Sequence, residues 1–118
     1  MNVLIQSIND ETDREIREFT EDDGNLVYIS HSASESISYL SKIEIDRAVI
    51  SLKNLNDAAI LKYLNENYPD IQVVVIANKA FDDFISIFQK VNYSVIHEPL
   101  KLSELKLKLK ITIEQKNN

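Results

Sequence analysis

The sequence has no cysteine, a single glycine and two histidines in 118 residues. Without cysteine there is no disulfide, no thiolate nucleophile and no cysteine-ligated zinc or iron–sulfur site. One glycine, Gly24, is too few for a dinucleotide-binding or Walker A loop, or for a GxSxG nucleophile elbow. His31 and His97 cannot form a three-histidine metal centre. These absences predict a protein that is not an enzyme and that carries no cofactor.

An excess of positive charge is also missing, because the formal net charge is −6. We therefore expect no direct binding of nucleic acid. No run of 18 apolar residues is present, so no membrane segment is predicted. The first residues, MNVLIQSINDE, lack the basic and long apolar regions of a signal peptide. Together with the lack of cysteine, this favours a cytoplasmic location.

The charge is distributed unevenly along the chain. Residues 1–23 carry eight acidic side chains, and residues 101–118 carry five lysines against two glutamates. Such runs are most often solvated helix faces. The alternative is that the last helix provides a docking face.

Hydrophobic residues make up 44% of the chain, which is enough for one folded core. We expect a single domain over residues 1–118, with residues 115–118 as a linker or frayed end. Five short apolar runs are each followed by a helical pattern; they begin at Val3, Leu26, Ala48, Ile71 and Tyr93. Strands that alternate with helices predict a parallel α/β sheet covered on both faces. The expected fold is flavodoxin-like and doubly wound, with strand order 2-1-3-4-5.

The last segment, residues 101–116, fits two patterns. LKLKLKITI alternates like a strand, whereas Leu102, Leu105, Leu109 and Ile113 form a helical stripe. The preceding alternation of strands and helices favours a helix. On that helix, Leu107 and Ile111 fall outside the core stripe and are flanked by Lys106, Lys108 and Lys110. This pair is either ordinary exposed surface or a contact site for a protein partner.

Four segments resemble parts of a known family: GNLVYISHSASESISYL, DRAVISL, YPDIQVVVIAN and VIHEPLKLSEL. In order and spacing they are similar to the second to fifth strands of bacterial response-regulator receiver domains, the CheY-like family. The resemblance extends over the whole chain. It implies a role in two-component signal transduction or phosphorelay, with a protein partner or a fused output domain. It also implies an interaction face built from the fourth helix, fifth strand and fifth helix, and a possible homodimer through the last helix.

The resemblance further implies a phosphorylation pocket, but the residues of that pocket are replaced. The two acids that end the first strand match Ser7 and Ile8, and the phosphoacceptor aspartate matches Ser51. The hydroxyl residue that ends the fourth strand matches Ala77, and the lysine before the proline matches Glu98. The aromatic switch position on the fifth strand matches Val95, with Tyr93 nearby.

These replacements remove the chemistry that aspartyl phosphorylation requires. Phosphoryl transfer in such a pocket needs a carboxylate nucleophile, Mg²⁺ and a cation to stabilise the developing charge. We therefore interpret the chain as a pseudo-receiver, a non-catalytic signalling module without a metal site.

The sequence leaves two alternatives to a pseudo-receiver open. One is a receiver that is still phosphorylated in a rearranged pocket, where Asn9, Asp10 and Asp57 are weak metal-ligand candidates. Asn9 and Asp10 are equally well explained as helix caps. The other is a small-molecule sensor with its pocket at the strand ends near Ser7, Ser51 and Ala77.

Other conspicuous side chains have ordinary explanations. Ser51 could be a phosphoserine acceptor, but a neutral side chain filling the former pocket is the simpler interpretation. His31 and His97 are expected on the surface. Three phenylalanines, Phe81, Phe84 and Phe88, are expected in the core.

Overall fold

The computed structural model describes residues 1–6, 8–88 and 93–114. Five strands lie in these ranges: β1 (Asn2–Gln6), β2 (Leu26–Ser30), β3 (Arg47–Leu52), β4 (Gln72–Ala77) and β5 (Tyr93–His97). They alternate with α1 (Asp10–Glu21), α2 (Ala33–Lys42), α3 (Leu55–Asn67), α4 (Asp82–Phe88) and α5 (Leu102–Glu114). A 3₁₀ turn, Lys79–Phe81, precedes α4.

All strand pairs are parallel, and the sheet order is β2-β1-β3-β4-β5. The predicted doubly wound α/β fold is therefore confirmed. β3 occupies the centre, and all six of its residues are buried. This position explains its nearly continuous apolar sequence, because a strand covered on both faces has no solvent-facing side.

Alternate strand residues point to the two faces of the sheet and build two core layers. One layer contains Leu4, Ile50 and Val75, packed with residues of α2, α3 and α4. The other contains Ile5, Val49 and Ile76, packed with Ile16 of α1 and with Leu105 and Leu109 of α5. Helices α1 and α5 therefore lie side by side on one face, and the other three helices cover the opposite face.

Helix boundaries follow from local hydrogen bonding. Asn9 Oδ1 accepts from the backbone N–H of Thr12 at 2.9 Å and caps α1. At the start of α3, Asn54 and Asp57 form a reciprocal capping box. Gly24 follows α1 with a φ of +83°, a conformation that a side chain would strain.

The last segment is a helix, as the alternation of elements predicted. Its leucine stripe faces the sheet, with Leu105 and Leu109 fully buried. Its carboxyl end is held by Arg47 at the start of β3, whose Nε donates to the carbonyl of Thr112 at 2.8 Å. Burial lowers the pKa of Arg47, and the charge of Asp46 opposes that shift. The guanidinium nonetheless stays charged at neutral pH.

The phenylalanine prediction is confirmed for two of the three residues. Phe81 and Phe84 are half-buried and pack against the core beside the fully buried Ile85. The side chain of Phe88 and the predicted tail at 115–118 lie outside the described residues. In the part of the chain that the structure describes, no helix is long and apolar enough to cross a bilayer.

Candidate functional site

The carboxyl ends of β1, β3, β4 and β5 lie around an open cleft of about 320 Å³. Its described lining consists of Ile8, Asn9, Thr12, Ser51, Lys53, Ile76, Glu98, Pro99 and Leu100. This is the crevice at which open parallel sheets usually bind ligands. Three of the five predicted pocket positions, Ile8, Ser51 and Glu98, therefore meet here. Ser7 lies outside the described residues.

The inner wall of the cleft is neutral. Ser51 sits near the end of β3, opposite Ile76 of β4, and is 3% exposed. Ala77, the fourth pocket position, is completely buried and pairs with Leu52 and His97. Its side chain packs in the core layer with Leu52 and is not among the described residues that line the cleft. The hydroxyls of the described lining belong to Ser51 and Thr12.

Glu98 lies at the rim of the cleft with an exposed side chain. Its backbone N–H donates to the carbonyl of Ala77 at 3.0 Å, and a cis peptide bond joins it to Pro99. Glu98 is the residue that the resemblance aligns with the lysine of a receiver pocket, and that match stays a prediction. Lys53 is the one cation among the described residues that line the cleft.

The carboxylate of Asp57, in the first turn of α3, is occupied by hydrogen bonds. Its Oδ2 accepts from the backbone N–H groups of Lys53 at 2.9 Å and Asn54 at 3.2 Å. Its Oδ1 accepts from Gln6 Nε2 at 3.4 Å. These contacts hold the loop between β3 and α3, so the carboxylate has a structural role.

The other acidic candidates are separated from one another. Asn9 lines the cleft and caps α1, whereas Asp10 is exposed and lines a different cavity with Arg14 and His31. Asp13, which the sequence did not single out, is buried and accepts from the N–H of Ile8 at 2.9 Å. Within the described ranges, no group of three or more histidine, aspartate or glutamate side chains is arranged to hold a metal ion.

A buried chain of polar side chains adjoins the site, and sequence reasoning missed it. Ser36 Oγ donates to Gln6 Oε1 at 2.9 Å, and Ser30 and Ser36 share a short hydroxyl–hydroxyl hydrogen bond. Because Ser36 donates its only hydroxyl proton to Gln6, Ser30 is the donor in the second bond. The chain continues from Gln6 to Asp57 and links β2, α2, β1 and the loop before α3. Two features of the sequence could have indicated these hydrogen bonds. Gln6 is a polar residue at the end of the apolar run VLIQ, and Ser36 lies one helical turn before Leu40.

Val95, which the resemblance aligns with the aromatic switch position, has no aromatic ring. Val95 is half-buried on β5 and lines a cavity of about 350 Å³ with Ile85 and Ser86 of α4. Nearby Tyr93 points into the core, where its hydroxyl donates to the carbonyl of Leu61 at 3.3 Å. Burial raises the pKa of Tyr93 to about 12. Neither residue therefore presents an exposed aromatic ring at this face.

The two histidines lie on the surface, as expected, and far apart. His31 follows β2 and His97 ends β5, which are the two edge strands of the sheet. His97 Nε2 lies 2.7 Å from Asp82 Oδ1 at the start of α4. This contact was not predicted, because the two residues are far apart in the sequence and meet only through strand pairing.

The predicted interaction residues on α5 are exposed. Leu107 is 59% and Ile111 47% accessible to solvent. Lys110 is also exposed, whereas Lys106 extends across the ring of Phe19 of α1, with its Nζ 5.6 Å from the ring centre. Whether a partner binds this face stays a prediction.

Comparison with solved structures places the architecture among receiver domains. HP1043, an orphan response regulator of H. pylori, is similar with a TM-score of 0.79 and 17% identity, over 97% of both chains. A two-component response regulator from Clostridium difficile gives a TM-score of 0.78 and 14% identity, over 100% of this chain and 99% of that one. A third similar protein belongs to a family of redox sensors in the streptococci that evolved from two-component response regulators. Its TM-score is 0.76 and its sequence identity 12%, over 94% of this chain and 50% of that one.

Identities this low establish the fold only. No protein-family model matches the sequence, and no curated protein matches it significantly.

Proposed function

We propose that this chain is a pseudo-receiver: a signalling module of receiver fold that acts through protein contact and is not phosphorylated on aspartate. The observation that carries the proposal is the chemistry of the cleft at the strand ends. There Ser51, which the resemblance aligns with the phosphoacceptor, is a buried neutral side chain, and Glu98, which the resemblance aligns with the lysine, brings a carboxylate to the rim.

The first argument concerns the nucleophile. A serine hydroxyl attacks phosphorus efficiently only with an adjacent base. The carboxylate of Asp57, the first acid after Ser51 along the chain, accepts hydrogen bonds from backbone N–H groups and from Gln6. Using it as an acceptor or metal ligand would require breaking these bonds. A rearranged phosphorelay pocket is therefore disfavoured.

The second argument concerns charge. Incoming phosphate carries negative charge, which Mg²⁺ and a lysine normally offset. Glu98 adds a further negative charge to the cleft, where Lys53 is the one cation among the described lining residues. Electrostatic repulsion thus opposes phosphate binding before any chemistry begins.

The decisive experiment is an amide NMR titration with Mg²⁺ and then beryllofluoride, a phosphoryl mimic. We expect the resonances of Ile8, Ser51 and Glu98 to remain unchanged. A variant with a restored pocket, I8D/S51D/E98K, is the positive control, and its pocket resonances should shift with Mg²⁺. Specific shifts in the unmodified protein would overturn the proposal in favour of the phosphorelay reading. Incubation with acetyl phosphate, followed by mass measurement, provides a second test.

A small-molecule sensor is the second candidate, supported by the cleft itself. Its apolar lining and the pair Lys53 and Glu98 suit a small ligand that carries both charges. A rise in melting temperature with free amino acids would support this candidate. If the melting temperature does not change with these compounds, protein contact remains the proposed function.

The partner of a pseudo-receiver can be a domain of the same polypeptide. The streptococcal redox sensor that resembles this chain is about twice its length, since the match covers 50% of that protein. A fused output domain is accordingly one of the partners that we propose for this fold.

A further inference from the structure

Strand β2 is one edge of the sheet, and half of its backbone groups point away from β1. The N–H of Leu26 donates to the carbonyl of Met1 at 2.9 Å, so the backbone groups of Leu26 face β1. Those of Tyr28, two residues further on, face the same way. The backbone groups of Val27 and Ile29 therefore point outward. An edge of this kind can pair with another extended chain.

A cavity of about 420 Å³ lies along this edge and has different chemistry on its two sides. On the face covered by α1, Arg14 and Arg17 line it. On the opposite face, it is lined by Tyr28 and by Tyr39 of α2, whose ring centres are 5.6 Å apart. Leu26, on the same side of the strand as Tyr28, is 56% exposed. One side of the edge therefore offers guanidinium groups, and the other offers aromatic and apolar surface.

The two arginines are held only by weak surface contacts. Arg17 donates to the outward carbonyl of Val27 at 3.1 Å and lies 3.7 Å from Glu21 in an exposed pair. Such surface pairs contribute little stability, so a partner can replace them at low cost. Among the described residues, no carboxylate forms an ion pair with Arg14, which is exposed.

Two carboxylates also line the cavity, but they lie at one end of it. Asp10 and Asp13 belong to the first turn of α1, which begins at the carboxyl ends of the strands. Asp13 is buried and accepts from the N–H of Ile8 in the preceding loop. Arg14 and Arg17 follow about one and two helical turns after Asp10. Positive charge therefore predominates beside the middle of β2.

A chain that pairs with this edge presents alternate side chains to the two faces of the sheet. Residues directly opposite one another share a face. The residues opposite Val27 and Ile29 would thus face the arginines of α1. The residue between them, opposite Tyr28, would face the tyrosine pair. Complementarity requires the pattern acidic, apolar, acidic in either strand direction.

We propose that β2 is a docking edge for an extended segment of a partner protein in which acidic residues alternate with apolar ones. The backbone of the segment pairs with Val27 and Ile29. Its carboxylates bind Arg14 and Arg17, and its central apolar side chain packs on Tyr28. A backbone N–H of the segment takes over the carbonyl that Arg17 releases. This inference rests on the proposed protein-contact function and specifies the partner.

A second copy of this chain does not fit the same edge. Two β2 strands paired about a two-fold axis would bring their α1 helices together on one face, with the arginines of the two copies side by side. Like charges in that arrangement are destabilising. The sequence of β2, LVYIS, also contains no acidic residue that would bind Arg14 or Arg17.

An amide NMR titration with a designed peptide tests the docking edge. The probe is the peptide TVEFEVT with blocked ends, which reads the same in both directions. The amides of Val27 and Ile29 should shift and become protected from hydrogen exchange. Two control peptides, TVQFQVT without the carboxylates and TVESEVT without the aromatic ring, should each bind at least about tenfold more weakly.

Substitution of the arginines tests the charge contact. Variant R14Q/R17Q should lose the preference for TVEFEVT over TVQFQVT, and variant R14E/R17E should prefer the basic peptide TVKFKVT. The matched control, K62Q/K110Q, removes two exposed positive charges from α3 and α5 and should keep the original preference. Circular dichroism melting checks that each variant is folded.

N-methylation of the peptide distinguishes strand pairing from other modes of binding. A methyl group removes one backbone N–H, and only alternate N–H groups of an added strand face β2. Methylation at the phenylalanine should abolish binding if the strands are parallel, and methylation at both glutamates should abolish it if they are antiparallel. One of the two peptides should therefore bind and the other should not. Equal behaviour of the two would overturn strand pairing.

The inference is also overturned by three results of the titrations. These are unchanged β2 amides at about 1 mM TVEFEVT, equal binding of the acidic and neutral peptides, and an unaltered preference in folded R14Q/R17Q. Failure of the proposed function would appear elsewhere in the molecule, as shifts of Ser51 and Glu98 with Mg²⁺ and beryllofluoride. Each experiment therefore tests one of the two claims.

Discussion

The hydroxyl of Ser36 donates a hydrogen bond to Oε1 of Gln6 over 2.9 Å, and both side chains are buried. Thirty residues separate the two in the sequence, and the bond ties α2 to the end of β1. Gln6 in turn donates to Asp57, which holds the loop after β3. Lys53 of this loop lines the cleft and donates its backbone N–H to Asp57, so the polar chain favours one fixed arrangement of that side of the cleft.

The first prediction concerns this buried chain. Ser36→Ala removes the donor to Gln6 and the acceptor for Ser30, leaving buried polar groups without partners. The free energy of unfolding should fall by about 1–3 kcal/mol. Urea denaturation measures the change. Ser38→Ala, at an exposed position of the same helix, is the control and should change stability by less than about 0.5 kcal/mol. Equal effects of the two substitutions would contradict the role of the chain.

The second prediction uses two leucines of α5 that differ in burial. Leu109 is fully buried, and Leu107 is 59% exposed. Leu109→Ala should lower stability by about 2–5 kcal/mol, because it leaves a cavity between α5 and the sheet. Leu107→Ala should change the stability of the monomer by no more than about 0.5 kcal/mol. Denaturation at a concentration below any dimerisation provides the comparison, and a large loss for Leu107→Ala would show that the helix is oriented differently.

The third prediction concerns alkaline pH. The pKa of Tyr93 is raised from an ordinary value near 10 to about 12 by burial. Between these values the unfolded chain has released the proton and the folded chain has kept it. The unfolded state then binds fewer protons, so stability is intact below pH 10 and decreases as the pH rises towards 12, by on the order of 2 kcal/mol. Tyr93→Phe should remove this part of the decrease, and identical pH profiles for the two proteins would refute the assignment.

The fourth prediction concerns the cleft. The double variant I8D/S51D introduces two carboxylates beside Glu98, one of them at a position only 3% exposed. Burial and mutual repulsion should lower stability by about 1–3 kcal/mol when Mg²⁺ is absent, which would appear as a lower melting temperature. The neutral variant I8N/S51N is the matched control. A melting temperature that is unchanged or raised in I8D/S51D would show that the cleft tolerates clustered carboxylates.

Much of the fold was predictable because its signals are local. Apolar runs such as IQVVVI mark buried strands, and Asn9, Asn54 and Gly24 mark the ends of helices. The resemblance also brought Ile8, Ser51 and Glu98 together, and these three residues do line one cleft, whereas the replacement of a phosphorylation pocket stays a prediction. The helical form of the last segment could be predicted only from the alternation of strands and helices along the whole chain, because the pattern of the segment itself also fits a strand.

The sequence by itself determined the order of the elements, the neutral side chains of Ile8 and Ser51 at the strand ends, and the presence of an apolar pair among lysines. Only the tertiary structure decided which distant groups meet. Arg47 reaches the carbonyl of Thr112, His97 reaches Asp82, and Lys106 lies over Phe19 because sheet pairing and helix packing bring these residues together. The physical reason is that periodicity reports which side of an element is buried, whereas it does not report which residue lies across from it.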